Sequence, residues 1–81
     1  MSEFSLKLEA KKLNLALAVH LRKMRNERHY TMREIASIID MPHSFISKIE
    51  QQGRRVDVGE FIHYCRAIGR DPAKELEILL R

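Results

Sequence analysis

Apolar positions recur three and four residues apart along most of the chain, the period of helices packed on a core. From about Ser5 to Arg28 there is no Pro or Gly, and Leu13, Leu17, Leu21 and Met24 fall at helical spacing. This predicts a long first helix with one buried stripe. A second helix is expected to start at Thr31, whose hydroxyl can cap it while Glu34 reaches back to the cap amide. Its inward residues would be Met32, Ile35, Ala36, Ile38 and Ile39. Asp40 suits the turn that follows, because Asp tolerates the left-handed backbone conformation better than most non-Gly residues. Pro42 has a helix-ready φ and no amide proton, so it belongs at the first position of a third helix, which Gly53 ends.

That third helix divides into two arcs at 100° per residue. Phe45, Ile46 and Ile49, with Pro42, fill one; His43, Ser44, Ser47, Lys48 and Gln51 fill the other. Asp57 and Glu60 form a second capping pair opening a fourth helix, with Phe61, Cys65 and Ile68 inward and Gly69 as its stop. Asp71-Pro72 starts a fifth helix expected to run to Arg81, with Leu76 and Leu79 inward. The expectation is an all-α, compact five-helix bundle forming one domain. It has an N-terminal helical extension over 1–12, a helix-turn-helix over 31–51 and a C-terminal helix over 70–81.

Charge adds direction to this picture. Residues 20–55 carry eight Lys or Arg against four Asp or Glu, whereas residues 56–81 carry four against five. The basic excess therefore lies in the segment with the polar-faced third helix, which favours a polyanionic partner there. The longest nearly apolar run, Leu13 to Val19, is too short to span a membrane. With a lone cysteine, no internal disulfide can form, and a cytoplasmic location is expected.

Four histidines and the cysteine, at positions 20, 29, 43, 63 and 65, show no zinc-ligand spacing, so no metal or other cofactor is expected. Catalytic patterns are missing too. There is no Ser-His-Asp order, no Gly-rich phosphate loop and no pair of carboxylates in a plausible cleft, and an enzyme is not expected.

The stretches LAVHLRKMRNE, TMREIA, SFISKIE and RRVDVGEFIHYCRAIGRDP together resemble the lambda-repressor-like family of DNA-binding domains, also called the Cro or XRE family. The resemblance covers roughly Leu13 to Leu80. It implies that the helix over 42–51 enters the major groove of double-stranded DNA, with His43, Ser44 and Lys48 reading bases. Thr31, Arg33, Ser47, Gln51, Arg54 and Arg55 would meet the DNA backbone or its periphery. Arg25 and Glu50 match family positions that pair between the first and third helices, a structural ion pair. Three departures stand out. Asp40 replaces the usual Gly of the helix corner, Met32 replaces a phosphate-binding Gln, and Gly53 comes one residue later than the family's glycine.

The function expected is a sequence-specific transcriptional regulator, a repressor binding a two-fold operator as a homodimer. Leu76, Ile78, Leu79 and Leu80 of the fifth helix supply the dimer interface, with help from the apolar N-terminal extension. The alternative is an antitoxin-like or anti-repressor module that uses the same fold to hold a protein partner.

Overall fold

Four of the five helices begin on a side chain that accepts an amide proton from the first turn. The computed structural model describes residues 2–81; Met1, the first residue of the expected extension, lies outside them. In chain order the helices are α1 (Glu3–Glu27), α2 (Met32–Ile38), α3 (His43–Glu50), α4 (Val58–Ala67) and α5 (Pro72–Leu79), and no strand occurs among the described residues. Ser2, Thr31, Asp57 and Asp71 cap α1, α2, α4 and α5. Pro42 caps α3 without a side-chain bond and lies one position before the helix. Expected at the first helical position and in the apolar arc, it is instead exposed. Its ψ of 147° is extended, outside the helical range.

The other ends share one device. His29, Asp40, Gln52 and Gly69 adopt left-handed φ values of 59°, 55°, 63° and 72° after α1, α2, α3 and α4. The next amide in each case donates back to a carbonyl five residues earlier: Tyr30 to Arg25, Met41 to Ala36, Gly53 to Lys48 and Arg70 to Cys65, at 3.2, 2.9, 2.8 and 2.8 Å. These are Schellman closures, which satisfy carbonyls that a helix end leaves open. The left-handed residue after α3 is therefore Gln52, with Gly53 following it, and the expectation that Gly53 itself ends the helix is corrected by one position.

The core gathers Leu21 and Met24 from α1, Ile35 from α2 and Ile39 at its C-cap, Ile46 and Ile49 from α3, and Tyr64 and Cys65 from α4, with Ile68 sealing the end. Each fully buried aliphatic side chain contributes about 1.5–3 kcal/mol. α3 packs on α2 and α1, while α5 packs on α4 and α1. Burial, with the Glu75 carboxylate beside it, pushes the Cys65 thiol up to about 11, so it acts as a small core hydrophobe.

Three inward assignments are corrected. Leu13 is 56% exposed, because α1 is about 37 Å long and its first half runs past the other helices. Ile38 lies about 100° around α2 from Ile39 and is also exposed. Leu76 is 48% exposed; the buried centre of α5 is Glu75, with Leu79 half-buried beside it. A carboxylate can occupy that position because His20 Nε2 lies 3.0 Å from it and Arg70 Nη1 3.6 Å. The fifth helix ends at Leu79, two residues before the expected Arg81, and α1 begins at Glu3 rather than Ser5. No helix among the described residues is long and apolar enough to cross a membrane.

Candidate nucleic-acid interface

α3 is eight residues long and has one face in the core. Phe45, Ile46, Ile49 and Glu50 are buried; His43, Ser44 and Lys48 are exposed, together with Gln51 at the helix end. Ser47 is half-buried, and its hydroxyl donates to Gln51 Oε1 at 3.3 Å. A short helix with so few residues has little stability of its own. Its orientation depends on what its buried side is attached to.

Glu50 makes that attachment. Arg25 Nε and Nη2 donate to its two carboxylate oxygens at 2.8 and 2.9 Å, a two-pronged ion pair between α1 and α3. Arg25 Nη1 donates to the Tyr30 carbonyl at 2.9 Å, which ties the same guanidinium to the turn before α2. The Tyr64 hydroxyl lies 2.8 Å from Glu50 Oε2 and 3.1 Å from the Leu21 carbonyl. Its single proton goes to the nearer, charged oxygen. Burial and the adjacent Glu50 charge push the Tyr64 phenol far above its ordinary range, so it stays a donor. The bonds that Arg25 donates to Glu50 raise the Arg25 pKa further, against the effect of burial. Sequence reasoning missed Tyr64. The signal was present, since Tyr64 lies on the same arc as Phe61 and Ile68, and a phenol buried there needs a partner.

On α2, the Thr31 hydroxyl accepts from the Glu34 amide at 3.1 Å and the Thr31 amide donates to Glu34 Oε1 at 2.9 Å. These bonds hold the Glu34 carboxyl below its ordinary value. Arg33 is exposed in the first turn. After α3, Arg54 Nη1 donates to Glu60 Oε1 at 2.8 Å and to the Arg55 carbonyl at 2.9 Å, and its guanidinium lies 5.0 Å above the Phe45 ring. Arg54 is thereby held over Phe45 of α3, with only Nη1 of its guanidinium engaged in these bonds. Arg55 is exposed beside the start of α1. The fold thus brings Arg25 to Glu50 and Ser47 to Gln51, while Thr31 and Arg33 lie exposed at the start of α2 and Arg55 lies exposed beside α1.

The fifth-helix residues divide. Leu76, Leu79 and Leu80 line an apolar groove of about 250 Å³ with Leu13, Leu17, Val56, Val58 and Phe61, whereas Ile78 does not line it. No group of three or more His, Cys, Asp or Glu residues suited to a metal ion occurs among the described residues.

The helix-turn-helix domain family matches residues 16–77, well over half the chain. The chain belongs to this family, in its XRE-type form. Membership makes the chain a DNA-binding transcription regulator. It is similar to a solved XRE-family like protein from Pseudomonas syringae pv. tomato str. DC3000, at 37% identity and a TM-score of 0.90, over 94% of this chain and 93% of that one. It is also similar to the clp gene regulator ClgR from Corynebacterium glutamicum, at 26% identity and a TM-score of 0.77, over 84% of this chain and 88% of that one. A second ClgR structure gives 26% identity and a TM-score of 0.76, over 84% of this chain and 72% of that one. No curated protein sequence matches the chain.

Proposed function

We propose that this regulator is a repressor that binds a two-fold operator as a homodimer, with α3 of each copy in the major groove. The observation that carries the reading is the two-sided character of α3: a polar exposed arc whose opposite side is clamped to α1 by Arg25 and Glu50. A helix held this way presents side chains at fixed positions, as base recognition requires. His43 and Ser44 lie at the start of α3 and Lys48 one turn on, and these three are the base readers. Lys donates to guanine O6 or N7, and Ser and His can donate or accept.

Ser47 and Gln51 meet the groove edge or a phosphate. Arg54 and Arg55 bind backbone phosphates, as do Thr31 and Arg33 at the start of α2. Two half-sites are needed because one short helix touches too few base pairs to select a single genomic site. Leu76, Leu79 and Leu80 form the dimer contact, with Ile78 at its edge. The named function of ClgR as a gene regulator supports the same class of activity.

Selection from a random double-stranded DNA library tests the reading. Wild type should yield a two-fold motif, and a His43→Ala, Ser44→Ala variant should lose preference at the positions it reads while keeping nonspecific affinity. If the dimer makes roughly six phosphate contacts, affinity should fall about a thousandfold between about 50 and 200 mM salt. Identical motifs from both proteins would remove His43 and Ser44 from base reading. Failure to bind any DNA would favour the protein-holding alternative.

A further inference from the structure

The first half of α1 is left uncovered by its own chain: every residue from Glu3 to Ala16 is exposed. It is nonetheless apolar on two sides. From Phe4 to Ala10 apolar and polar residues alternate, and an alternating pattern wound into a helix points successive apolar residues about 200° apart. Phe4, Leu8 and Leu15 share one face. Leu6, Ala10 and Leu13 share the other, which continues into Leu17 and the core.

The second face opens onto two hollows that meet at Asn14. One is the apolar groove bounded by Leu13, Val58, Leu76 and Leu80; the other lies along Leu6 and Ala10. The two halves of this trough differ in charge. Asp57 is the charged residue lining the groove, whereas Lys7, Lys11 and Arg55 line the arm's hollow. A second copy laid antiparallel sets these unlike charges opposite each other, and a parallel copy sets like against like.

We propose that two copies pair through this trough, their α1 arms crossing antiparallel over Ala10, so that Leu6 of each enters the other's groove. The proposal rests on the homodimer reading above and names the contacts that make it. Leu6, Ala10, Leu13 and Leu17 follow the four-three-four spacing of a helix-pairing seam, and Ala10 is small enough at the crossing for close approach. The helix-turn-helix family match covers residues 16–77, so Leu6, Leu13 and Leu80 are additions outside the family's domain. At most about five residues of this chain fall outside the match to the Pseudomonas syringae structure, which covers 94% of it, so most of the arm has a counterpart there. A helical segment of this length gains little stability in water without a packed face.

Sedimentation at tens of micromolar, with full-length protein, tests the pairing. Wild type should be a dimer. A Leu6→Glu, Leu13→Glu variant should be monomeric, its dissociation constant raised at least about 100-fold. A Phe4→Glu, Leu8→Glu variant, altered on the opposite face, should remain a dimer. All four positions are exposed in the single chain, so cooperative melting of the domain core should survive in both variants. Cross-linking supplies the second measurement, since Cys65 is buried and silent to oxidants. Chains carrying Leu6→Cys mixed with chains carrying Leu80→Cys should form a disulfide-linked pair. If instead both glutamate variants stay dimeric and Leu80→Cys chains link to themselves, the dimer stands through α5 and the arm assignment is overturned. Dissociation by the Phe4 and Leu8 changes alone would equally overturn the seam. A wild-type monomer that binds a single half-site would remove both the arm pairing and the homodimer.

Discussion

Glu50 and Glu75 are both buried against α1, and each fastens a different helix to it. Glu50 holds α3 through two bonds from Arg25 and one from Tyr64, all at 2.8–2.9 Å. Glu75 holds α5 more loosely. His20 lies at 3.0 Å, and Arg70 at 3.6 Å divides its guanidinium between Glu75 and Glu27, with Nε buried and unpartnered. Tyr64, a donor to Glu50, is fully buried, whereas the Arg70 side chain beside Glu75 is 24% exposed. The helix proposed to face DNA is the one fixed by a saturated carboxylate. The helix proposed to meet a second copy is allowed more play.

The largest effect should come from breaking the tighter anchor. Glu50→Gln leaves the Arg25 guanidinium buried without its anion, and removing one partner of such a pair costs about 3–5 kcal/mol. That is a large share of the stability of a domain this small. Tyr64→Phe removes one bond to a charged carboxylate at nearly constant volume, a loss of about 2 kcal/mol. Urea unfolding should rank them in that order. An Arg25→Met, Glu50→Leu double variant should lose less than the two single changes together, because neither charge is then stranded. Strictly additive losses would mean the clamp is no coupled unit.

The same substitution at the looser anchor should do less. Glu75→Gln keeps a hydrogen-bonding amide beside His20, and Arg70 retains Glu27, so a loss of about 1 kcal/mol is expected. Amide exchange should quicken in α5 while α3 stays protected. Equal losses at Glu50 and Glu75 would erase the contrast between the two helices.

The difference between these anchors also marks what could be read from sequence. Caps and turns depend on residues three or four apart, so Thr31 with Glu34, Asp57 with Glu60, and the Asp40 corner were legible directly. The polar arc of α3 was legible for the same reason. Burial of Glu75 was not, because its partner His20 lies 55 residues away and a carboxylate on a helix ordinarily faces water. Leu13 and Leu76 misled in the opposite sense. Helical spacing identifies a face but not where the neighbouring helix stops, and the groove between them is open. The role of Gln52 was hidden because the glycine beside it suggested the more usual end.

That turn extends the comparison to the backbone beside each anchored helix. Gln52, at the end of α3, has a side chain at φ 63°, whereas Gly69, before α5, has none at φ 72°. Gln52→Gly should therefore stabilise the protein by about 1 kcal/mol, and Gly69→Ala should cost about as much. A Cβ at Gly69 would meet nothing within 4 Å, so the loss there would be conformational and not steric. Melting curves of the two variants should move in opposite directions. Movement in the same direction would show that loop packing, and not the left-handed φ, controls these ends.

The smallest effect should separate the buried carboxylates from the exposed ones that cap α2 and α4. Glu34 is held below the ordinary glutamate value of 4.5 by bonds from Thr31, and Glu60 by Arg54 first and then the Asp57 amide. A carboxylate with a lowered folded pKa adds stability that is complete above its unfolded pKa and disappears as pH falls through the folded one. The two caps should contribute fully at pH 7, begin to weaken near pH 4.5, and be lost on further acidification. A Glu34→Gln, Glu60→Gln variant keeps an oxygen that can accept the cap bonds but removes the charge. Its melting temperature should lie below wild type at neutral pH, and the gap should close toward about pH 3 as wild type becomes protonated. A gap of unchanged size across that range would show that charge at the caps contributes nothing, leaving the acid sensitivity of the fold to its buried pairs.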